Sequence, residues 1–201
     1  MKIRNIVAAM LVAGGLATTG LVGTGAAQAA TSATATVASL SQLRAADQLS
    51  LRQLLDVVGF EVRLTFPNAT LMVAEGSSPT GPTSDIADVT DWRLVYNTND
   101  DAARVKSLEI HATLAGQIDA PVYHTSQWGG VVAIPDQVGM SPEQAYRILR
   151  DAGHGHPYQY VSLVKPLVAQ PRLQYHFSNI PGGCDGYSVN VDDGYVQPIC
   201  G

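Results

Sequence analysis

Two histidines and an aspartate lie close enough in the sequence to share a metal ion. His154 and His156 flank Gly155 just past a predicted helix end, and Asp151 lies three residues before His154. Imidazole nitrogen and carboxylate oxygen are ligands that Cu(II) and Zn(II) accept in proteins. These residues therefore predict one candidate function, extracellular metal binding. The alternative interpretation is a polar loop, made flexible by glycine, in which both imidazole rings are solvated.

A hydrolase would need a nucleophile, a base and an acid that converge in space. The chain contains all three residue types, but the motifs Gly-x-Ser-x-Gly and His-Glu-x-x-His are both absent from its sequence. The adjacent acids Asp100-Asp101 and Asp192-Asp193 fall in predicted turns, where aspartate bonds to the nearby backbone. We therefore expect no catalytic residue and no cofactor, and we keep an unrecognised secreted hydrolase as an alternative.

An aromatic and polar segment precedes a pair of glycines in the middle of the chain. It contains Tyr123, His124 and Trp128 and ends at Gly129-Gly130. Tyrosine and tryptophan in exposed loops are the residues that dominate the binding energy of protein interfaces. We expect Tyr123, His124 and Trp128 to contact a protein partner. The alternative, in which Trp128 fills the space between two structural units, stays open.

The two cysteines, Cys184 and Cys200, flank a predicted β-hairpin. Residues 187–191 alternate as a strand does, residues 192–194 form the turn, and residues 195–199 form the return strand. Because the cysteines are equally distant from the start of the turn, they face each other at the open end of the hairpin. Outside the cell such a pair is oxidised, so the sequence predicts a disulfide between Cys184 and Cys200.

The N-terminus has the pattern of a secretory signal peptide. Lys2 and Arg4 precede an apolar run over residues 6–22, and residues 27–29 read Ala-Gln-Ala, the small-x-small pattern that signal peptidase cleaves. Glycines interrupt the apolar run, which disfavours a membrane helix. We predict a signal peptide over residues 1–29 and a secreted mature chain.

The composition of the whole chain is typical of an acidic, ordered protein. The chain has 201 residues, with 12 Lys and Arg against 17 Asp and Glu, and 46% of its residues are hydrophobic. Binding to a phosphate backbone needs clustered cations, so we expect no nucleic-acid partner, and no membrane contact after the signal peptide is removed. Residues 30–38, rich in Ala, Thr and Ser, predict a flexible leader. The high usage of Ala, Gly, Thr and Val suggests a bacterial source with a GC-rich genome.

A helix is predicted after the leader. Ser50 and Gln53 have the spacing of a capping box, and Gly59 supplies a C-terminal stop. Apolar residues follow at helical spacing between them, at positions 51, 54, 55 and 58. A further helical turn is predicted before Ser50, through Leu40, Leu43 and Ala46.

Three strands are predicted in the rest of this half. Residues 60–65 alternate as a strand, and residues 76–85 are typical of an exposed loop. Two further alternating segments place one set of apolar residues on a common face. The inward residues are Trp92, Leu94 and Tyr96 in the first segment, and Leu108, Ile110 and Ala112 in the second.

The second half repeats this order of elements. Ser141 and Gln144 form another capping box, Pro142 occupies the first helical position, and Gly153 ends the helix. Residues 158–164 and 173–178 are predicted strands, with Leu173, Tyr175 and Phe177 facing inward. His111 and His176 fall on the opposite, polar faces of their strands, and we expect both to be half-exposed.

These elements predict an α+β fold of two similar units. Each unit would pack an amphipathic helix on a small antiparallel sheet. The first unit covers residues 39–134 and the second covers residues 139–201. Because either unit alone has a small core, we expect the two sheets to pack together or to pair edge to edge.

The second half resembles a PepSY-type domain. The resemblance rests on residues 140–145, which open a helix, residues 173–177, a Tyr-containing strand, and residues 187–196, a hairpin with a Val-Asp-x-x-Gly-x-Val turn. The first half resembles a diverged second copy. The resemblance implies a secreted, non-catalytic binding domain that inhibits or regulates an extracellular peptidase in trans.

Overall fold

The computed structural model describes residues 48–100 and 102–200. The predicted signal peptide over residues 1–29, the leader over residues 30–38 and the helical turn through Leu40, Leu43 and Ala46 lie outside these residues. Across the described ranges, no helix has both the length and the apolar content that crossing a bilayer requires.

The first helix, α1, spans Leu51–Thr65 and begins at the predicted capping box. The Gln53 N–H donates to Ser50 Oγ at 3.3 Å, and the Ser50 N–H donates to Gln53 Oε1 at 2.8 Å. These reciprocal hydrogen bonds satisfy two backbone donors that the first helical turn leaves free. The predicted start of α1 is therefore confirmed.

The predicted end of α1 is wrong. The helix continues through Gly59 over residues 60–65, which were expected to form a strand. Val62 extends the buried stripe of the helix one turn beyond Val58, and both side chains lie in the core. Burial of Val62 outweighs the helix penalty of one glycine, about 1 kcal/mol. The alternation of residues 60–65 is coincidental, because Phe60 and Leu64 are exposed.

Eight strands form one antiparallel sheet in the order β4-β3-β2-β1-β5-β6-β7-β8. Strands that follow one another in the chain are paired, with the exception of β4 and β5. Strand β5 pairs with β1 instead, and this pairing joins the first four strands to the last four. Their bounds are β1 Thr70–Ser77, β2 Asp91–Asn97, β3 Ser107–Thr113, β4 Val122–His124, β5 Tyr160–Val164, β6 Gln174–Ser178, β7 Tyr187–Asn190 and β8 Val196–Pro198.

The predicted α+β fold of two units, each a helix on its own small sheet, is wrong. The molecule is mainly one eight-stranded antiparallel sheet with two short helices. Both helices pack into a single hydrophobic cluster, which continues across the junction between β1 and β5. One larger core buries a greater share of the chain than two small ones would. Its members include Leu54 of α1, Ala145 of the second helix, and Ala74, Trp92, Leu108, Val161, Tyr175 and Val189 of the strands.

Strand β1 is the central strand and was not predicted. Apolar and polar residues do not alternate along it: Met72, Val73 and Ala74 follow one another, and all three are buried. Ala74 belongs to the core under the helices, whereas Met72 and Val73 belong to a smaller cluster on the other face. A strand that is covered on both faces loses the period-two pattern by which strands are recognised. The expected loop over residues 76–85 therefore begins too early.

The predicted inward residues of the other strands are confirmed. They are all buried in the main hydrophobic cluster. These residues are Trp92, Leu94 and Tyr96 of β2, Leu108, Ile110 and Ala112 of β3, and Tyr175 and Phe177 of β6 together with the preceding Leu173.

The second helix, α2, spans Pro142–Leu149 and also begins at a capping box, as predicted. The Gln144 N–H donates to Ser141 Oγ at 3.3 Å, and the Ser141 N–H donates to Gln144 Oε1 at 2.8 Å. A π-helical turn, Arg150–His154, follows α2. Gly153 within it has φ of 90°, a conformation that glycine adopts without steric cost.

The predicted disulfide is confirmed. Cys184 and Cys200 are bonded, and their Cα atoms are 5.2 Å apart. The bridge closes the open end of the hairpin that β7 and β8 form. Gly194, in the turn between these strands, has φ of 69°. The bridge therefore ties the last strand, which is only three residues long, to the body of the sheet.

Candidate functional site

One row of mostly polar side chains crosses seven strands on the face of the sheet opposite the helices. Residues that pair directly in antiparallel strands point to the same face. With strands about 4.8 Å apart, the row is about 29 Å long. We call this surface the polar face. From β3 to β8 its row consists of His111, Arg93, Glu75, Ser162, His176, Ser188 and Gln197.

Arg93 lies at the centre of the N-terminal half of the polar face, between two carboxylates. Its Nη1 donates to Glu75 Oε2 at 3.1 Å, and its Nη2 contacts Glu109 Oε2 at 2.8 Å. The three side chains are 19–25% exposed. The hydrogen bond from Arg93 keeps the pKa of the Glu109 carboxyl below its usual value, and His111, 3.0 Å from Glu109, acts in the same direction. The two carboxylates therefore hold the guanidinium of Arg93 in one place.

Trp128 packs beside Arg93 on the polar face. The Arg93 Cζ atom lies 4.9 Å from the centroid of the indole, within the range of a cation–π interaction. Asn97 fixes the backbone of Trp128: the Trp128 N–H donates to Asn97 Oδ1 at 2.7 Å, and Asn97 Nδ2 donates to the Trp128 carbonyl at 3.0 Å. The ring also contacts the small cluster around Val95 and remains half-buried. Trp128 thus presents one part of a fixed aromatic surface to solvent.

Tyr123 and His124, the other two predicted partner-binding residues, lie on opposite faces of the sheet. Both belong to the edge strand β4, in which successive side chains alternate. Tyr123 is exposed on the helix side, and its ring centroid lies 6.2 Å from that of Phe66. His124 pairs with Ser107 and points to the same side as Trp128. Its Nε2 atom is buried without a hydrogen-bond partner among the residues that the structure describes.

The C-terminal half of the polar face carries neutral polar side chains. His176 Nε2 lies 3.0 Å from Gln174 Oε1, and Gln174 Nε2 donates to Asn190 Oδ1 at 2.9 Å. Burial lowers the pKa of His176 to about 4, so its ring is neutral at pH 7. His176 pairs in register with Ser162 and Ser188, yet neither serine hydroxyl hydrogen-bonds its ring.

The predicted metal-binding histidines lie instead in a cluster of aromatic rings. His154 stacks on Tyr187 with their ring centroids 3.8 Å apart, and the His156 centroid lies 4.3 Å from that of Tyr158. The Tyr158 hydroxyl donates to the His154 carbonyl at 2.9 Å, and the Tyr146 hydroxyl donates to the Gly155 carbonyl at 3.1 Å. Ring contacts and hydrogen bonds to backbone carbonyls therefore hold this loop in place.

Asp151 does not complete a ligand set with these histidines. Its side chain is exposed, and its Oδ1 lies 3.8 Å from Arg150 Nε. In residues 48–100 and 102–200, no three His, Cys, Asp or Glu side chains are grouped as they would need to be to hold a metal ion.

The charged centre of the polar face was not identified from the sequence. Arg93 lies between Trp92 and Leu94, and Glu109 lies between Leu108 and Ile110. In a strand, a charged residue between two inward apolar residues points to the opposite face of the sheet. This pattern could have placed Arg93 and Glu109 on the same face. Glu75 could not have been placed, because β1 itself was not recognised.

Comparison with known proteins gives no relative for this chain. No protein-family model, curated protein or solved structure matches it. The resemblance to a PepSY-type domain therefore stays a prediction.

Proposed function

We propose that this chain is a secreted, non-catalytic binding protein whose polar face engages an extracellular protein. The observation that carries the proposal is the arrangement at Arg93, which two carboxylates hold and which packs against a half-exposed Trp128. Tryptophan and arginine are the residues most enriched at the energetic centres of protein interfaces. A sheet surface that carries both in fixed positions suits the recognition of a folded partner.

The rigidity of this surface favours binding. Association is opposed by the entropy lost when long side chains are immobilised, about 0.5–1.5 kcal/mol for each one. In the free protein, the salt bridges to Glu75 and Glu109 already restrain the side chain of Arg93. Packing on Arg93 and on the small cluster around Val95 likewise restrains the indole of Trp128. The polar face can therefore bind a complementary surface with little further ordering.

The secreted location rests on the predicted signal peptide over residues 1–29, and the disulfide is consistent with it, because such bonds persist in oxidising compartments. The class of partner rests on the resemblance of residues 140–196 to PepSY-type domains, which implies a peptidase. We therefore take a secreted peptidase as the partner to test first.

The experiment measures inhibition of a panel of secreted metallo- and serine peptidases by the purified, oxidised protein. We expect sub-micromolar inhibition of one class. Arg93→Ala and Trp128→Ala should each weaken it by about 30-fold or more, the effect of losing an interface hot spot. The matched controls are Arg52→Ala and Phe60→Ala, which change an exposed arginine and an exposed phenylalanine on the helix side.

Two results would count against the proposal. If no peptidase and no other protein from the producing organism's medium binds the wild type, the chain is not a binding protein of this kind. If Arg93→Ala and Arg52→Ala weaken binding equally, the polar face is not the binding surface. Arg93→Lys separates geometry from charge, because lysine keeps the charge but cannot bridge Glu75 and Glu109 as the guanidinium does.

A further inference from the structure

The disulfide bridge lies at the surface of the molecule. Cys184 and Cys200 are both exposed residues. Exchange with an external thiol requires a thiolate to approach one sulfur of the bridge, so exposure makes a bridge reducible in the folded state. The chain has no third cysteine. The two thiols that reduction produces can therefore re-form only this bridge within one molecule.

Strand β8 has few contacts that would hold it in the sheet without the bridge. It is the last strand at one edge of the sheet, and its three residues pair with β7 alone. Pro198 is exposed and has no N–H to donate, and Val196 and Gln197 are only partly buried. Segments with little buried surface and few hydrogen bonds open at a low cost in free energy. The bridge is therefore the main restraint on β8.

Strand β7 is held independently of β8. On its other side it pairs with β6 over four residues, from Tyr187 to Asn190. Val189 is buried in the main hydrophobic cluster, and Ser188 and Asn190 are also buried. Because buried surface increases between β8 and β7, an opening that starts at this edge of the sheet should stop before β7.

We infer that reduction of the Cys184–Cys200 bridge in the folded protein lets β8 detach while the other strands stay folded. The reductant is a dithiol. One of its thiolates attacks a sulfur of the bridge and forms a mixed disulfide, and its second thiolate displaces the remaining protein sulfur. Two electrons and two protons thus pass to the bridge, the dithiol becomes a disulfide, and both cysteines become thiols.

Detachment of β8 changes the C-terminal end of the polar face. Gln197, the last side chain of the row, leaves with β8. The backbone groups of β7 that pair with β8 lose their partners, and an unpaired edge of this kind can accept another strand. Arg93 and Trp128 lie in the other half of the polar face and keep their contacts. The inference therefore does not rest on the proposed function.

Cleavage by chymotrypsin tests this inference in the full chain, under native conditions, with and without dithiothreitol. Tyr195 is exposed and lies in the turn that leads into β8. A protease cleaves such a segment when it opens, so cleavage reports the open population. We expect reduction to make cleavage after Tyr195 about 100-fold faster, the factor that corresponds to the closure entropy of a loop of this length.

Cleavage after the buried residues Trp92 and Phe177 reports global unfolding in the same sample. Mass spectrometry of the reduced protein should show a product that lacks only residues 196–201, before any cut after Trp92 or Phe177. If reduction accelerates all three cuts equally, the bridge stabilises the whole fold and does not restrain β8 in particular. If reduction leaves the cut after Tyr195 unchanged, β8 stays in the sheet without the bridge. Either result would overturn the inference.

The variant Cys184→Ser/Cys200→Ser is the matched control. Without any reductant it should be cleaved after Tyr195 as fast as the reduced wild type, and dithiothreitol should not change its cleavage. Cleavage of this variant as slow as that of the oxidised wild type would contradict the inference.

The rate of bridge reduction is the second measurement. It should increase linearly with the dithiothreitol concentration and stay constant in urea well below the unfolding midpoint, because the exposed bridge is attacked in the folded state. A rate that rises steeply with urea would count against the inference, since the bridge would then be reached only through unfolding.

Discussion

Removal of the disulfide should lower the free energy of unfolding by about 3 kcal/mol. The perturbation is the double variant Cys184→Ser/Cys200→Ser, which removes the bond without leaving free thiols. The cysteines are 16 residues apart in the sequence. In the chain-entropy model a loop of that length loses about 10 cal/mol/K in the unfolded state, which is about 3 kcal/mol at 25 °C.

The assay is equilibrium unfolding in urea, followed by circular dichroism, of the wild type and the double variant. The urea concentration at the midpoint of unfolding should be lower for the variant. The slope of the unfolding free energy against urea concentration should stay equal or rise slightly, because the unfolded variant is less constrained. The reduced wild type is the control and should unfold at nearly the same urea concentration as the variant.

The size of the loss distinguishes two ways in which this reasoning could fail. A loss below about 1 kcal/mol would mean that the bridge does not restrict the unfolded chain as the loop model requires. A loss above about 5 kcal/mol would mean that native contacts disappear as well. Strand β8 would be the source of those contacts, because its three residues pair only with β7.

Three further predictions concern single residues. Burial lowers the pKa of His176 to about 4, so the unfolded state takes up a proton before the folded state does as the pH falls below about 6.5. The free energy of unfolding should therefore drop by about 2–3 kcal/mol by pH 4.5. Urea unfolding should show that His176→Gln lacks this part of the pH dependence. Gly76→Ala would place a Cβ 2.7 Å from the Trp92 ring and should cost about 1–3 kcal/mol in thermal unfolding, whereas Gly129→Ala, with open space around it, should cost far less. Ser141→Ala removes the cap of α2 and should cost about 1 kcal/mol in the same assay, with Ser141→Asp retaining most of the stability.

Each of these three predictions has a result that contradicts it. Parallel pH profiles for the wild type and His176→Gln would show that the ring is not shielded from water. Equal costs for the two glycine variants would show that the close packing of β1 on β2 does not limit stability. An unchanged midpoint for Ser141→Ala would show that the capping box adds nothing measurable to α2.

The candidate site was predictable only in part. Trp128 was identified by its residue type, and the structure places it next to Arg93. The grouping of Tyr123 with His124 fails, because neighbours in a strand point to opposite faces. The contact between Trp128 and Arg93 joins residues 35 positions apart in the chain, and no local pattern reports such a contact.

Features that depend on local interactions were determined by the sequence itself. The capping boxes at Ser50 and Ser141 involve residues three positions apart. The alternation of β2, β3 and β6 and the hairpin that aligns Cys184 with Cys200 also depend on near neighbours. Short-range hydrogen bonds and side-chain patterns form the same local structure in most tertiary contexts. These features could therefore be predicted from the sequence.

Tertiary structure decided where α1 ends, that residues 70–77 form the central strand, and that one sheet replaces two. Each outcome depends on burial against distant residues: Val62 in the shared core, and β1 between β2 and β5. The pairing of Glu75 with Ser162 joins positions 87 residues apart. Burial in a common core stabilises such pairings, and a hydrophobic pattern read locally does not reveal which surface will cover which residue.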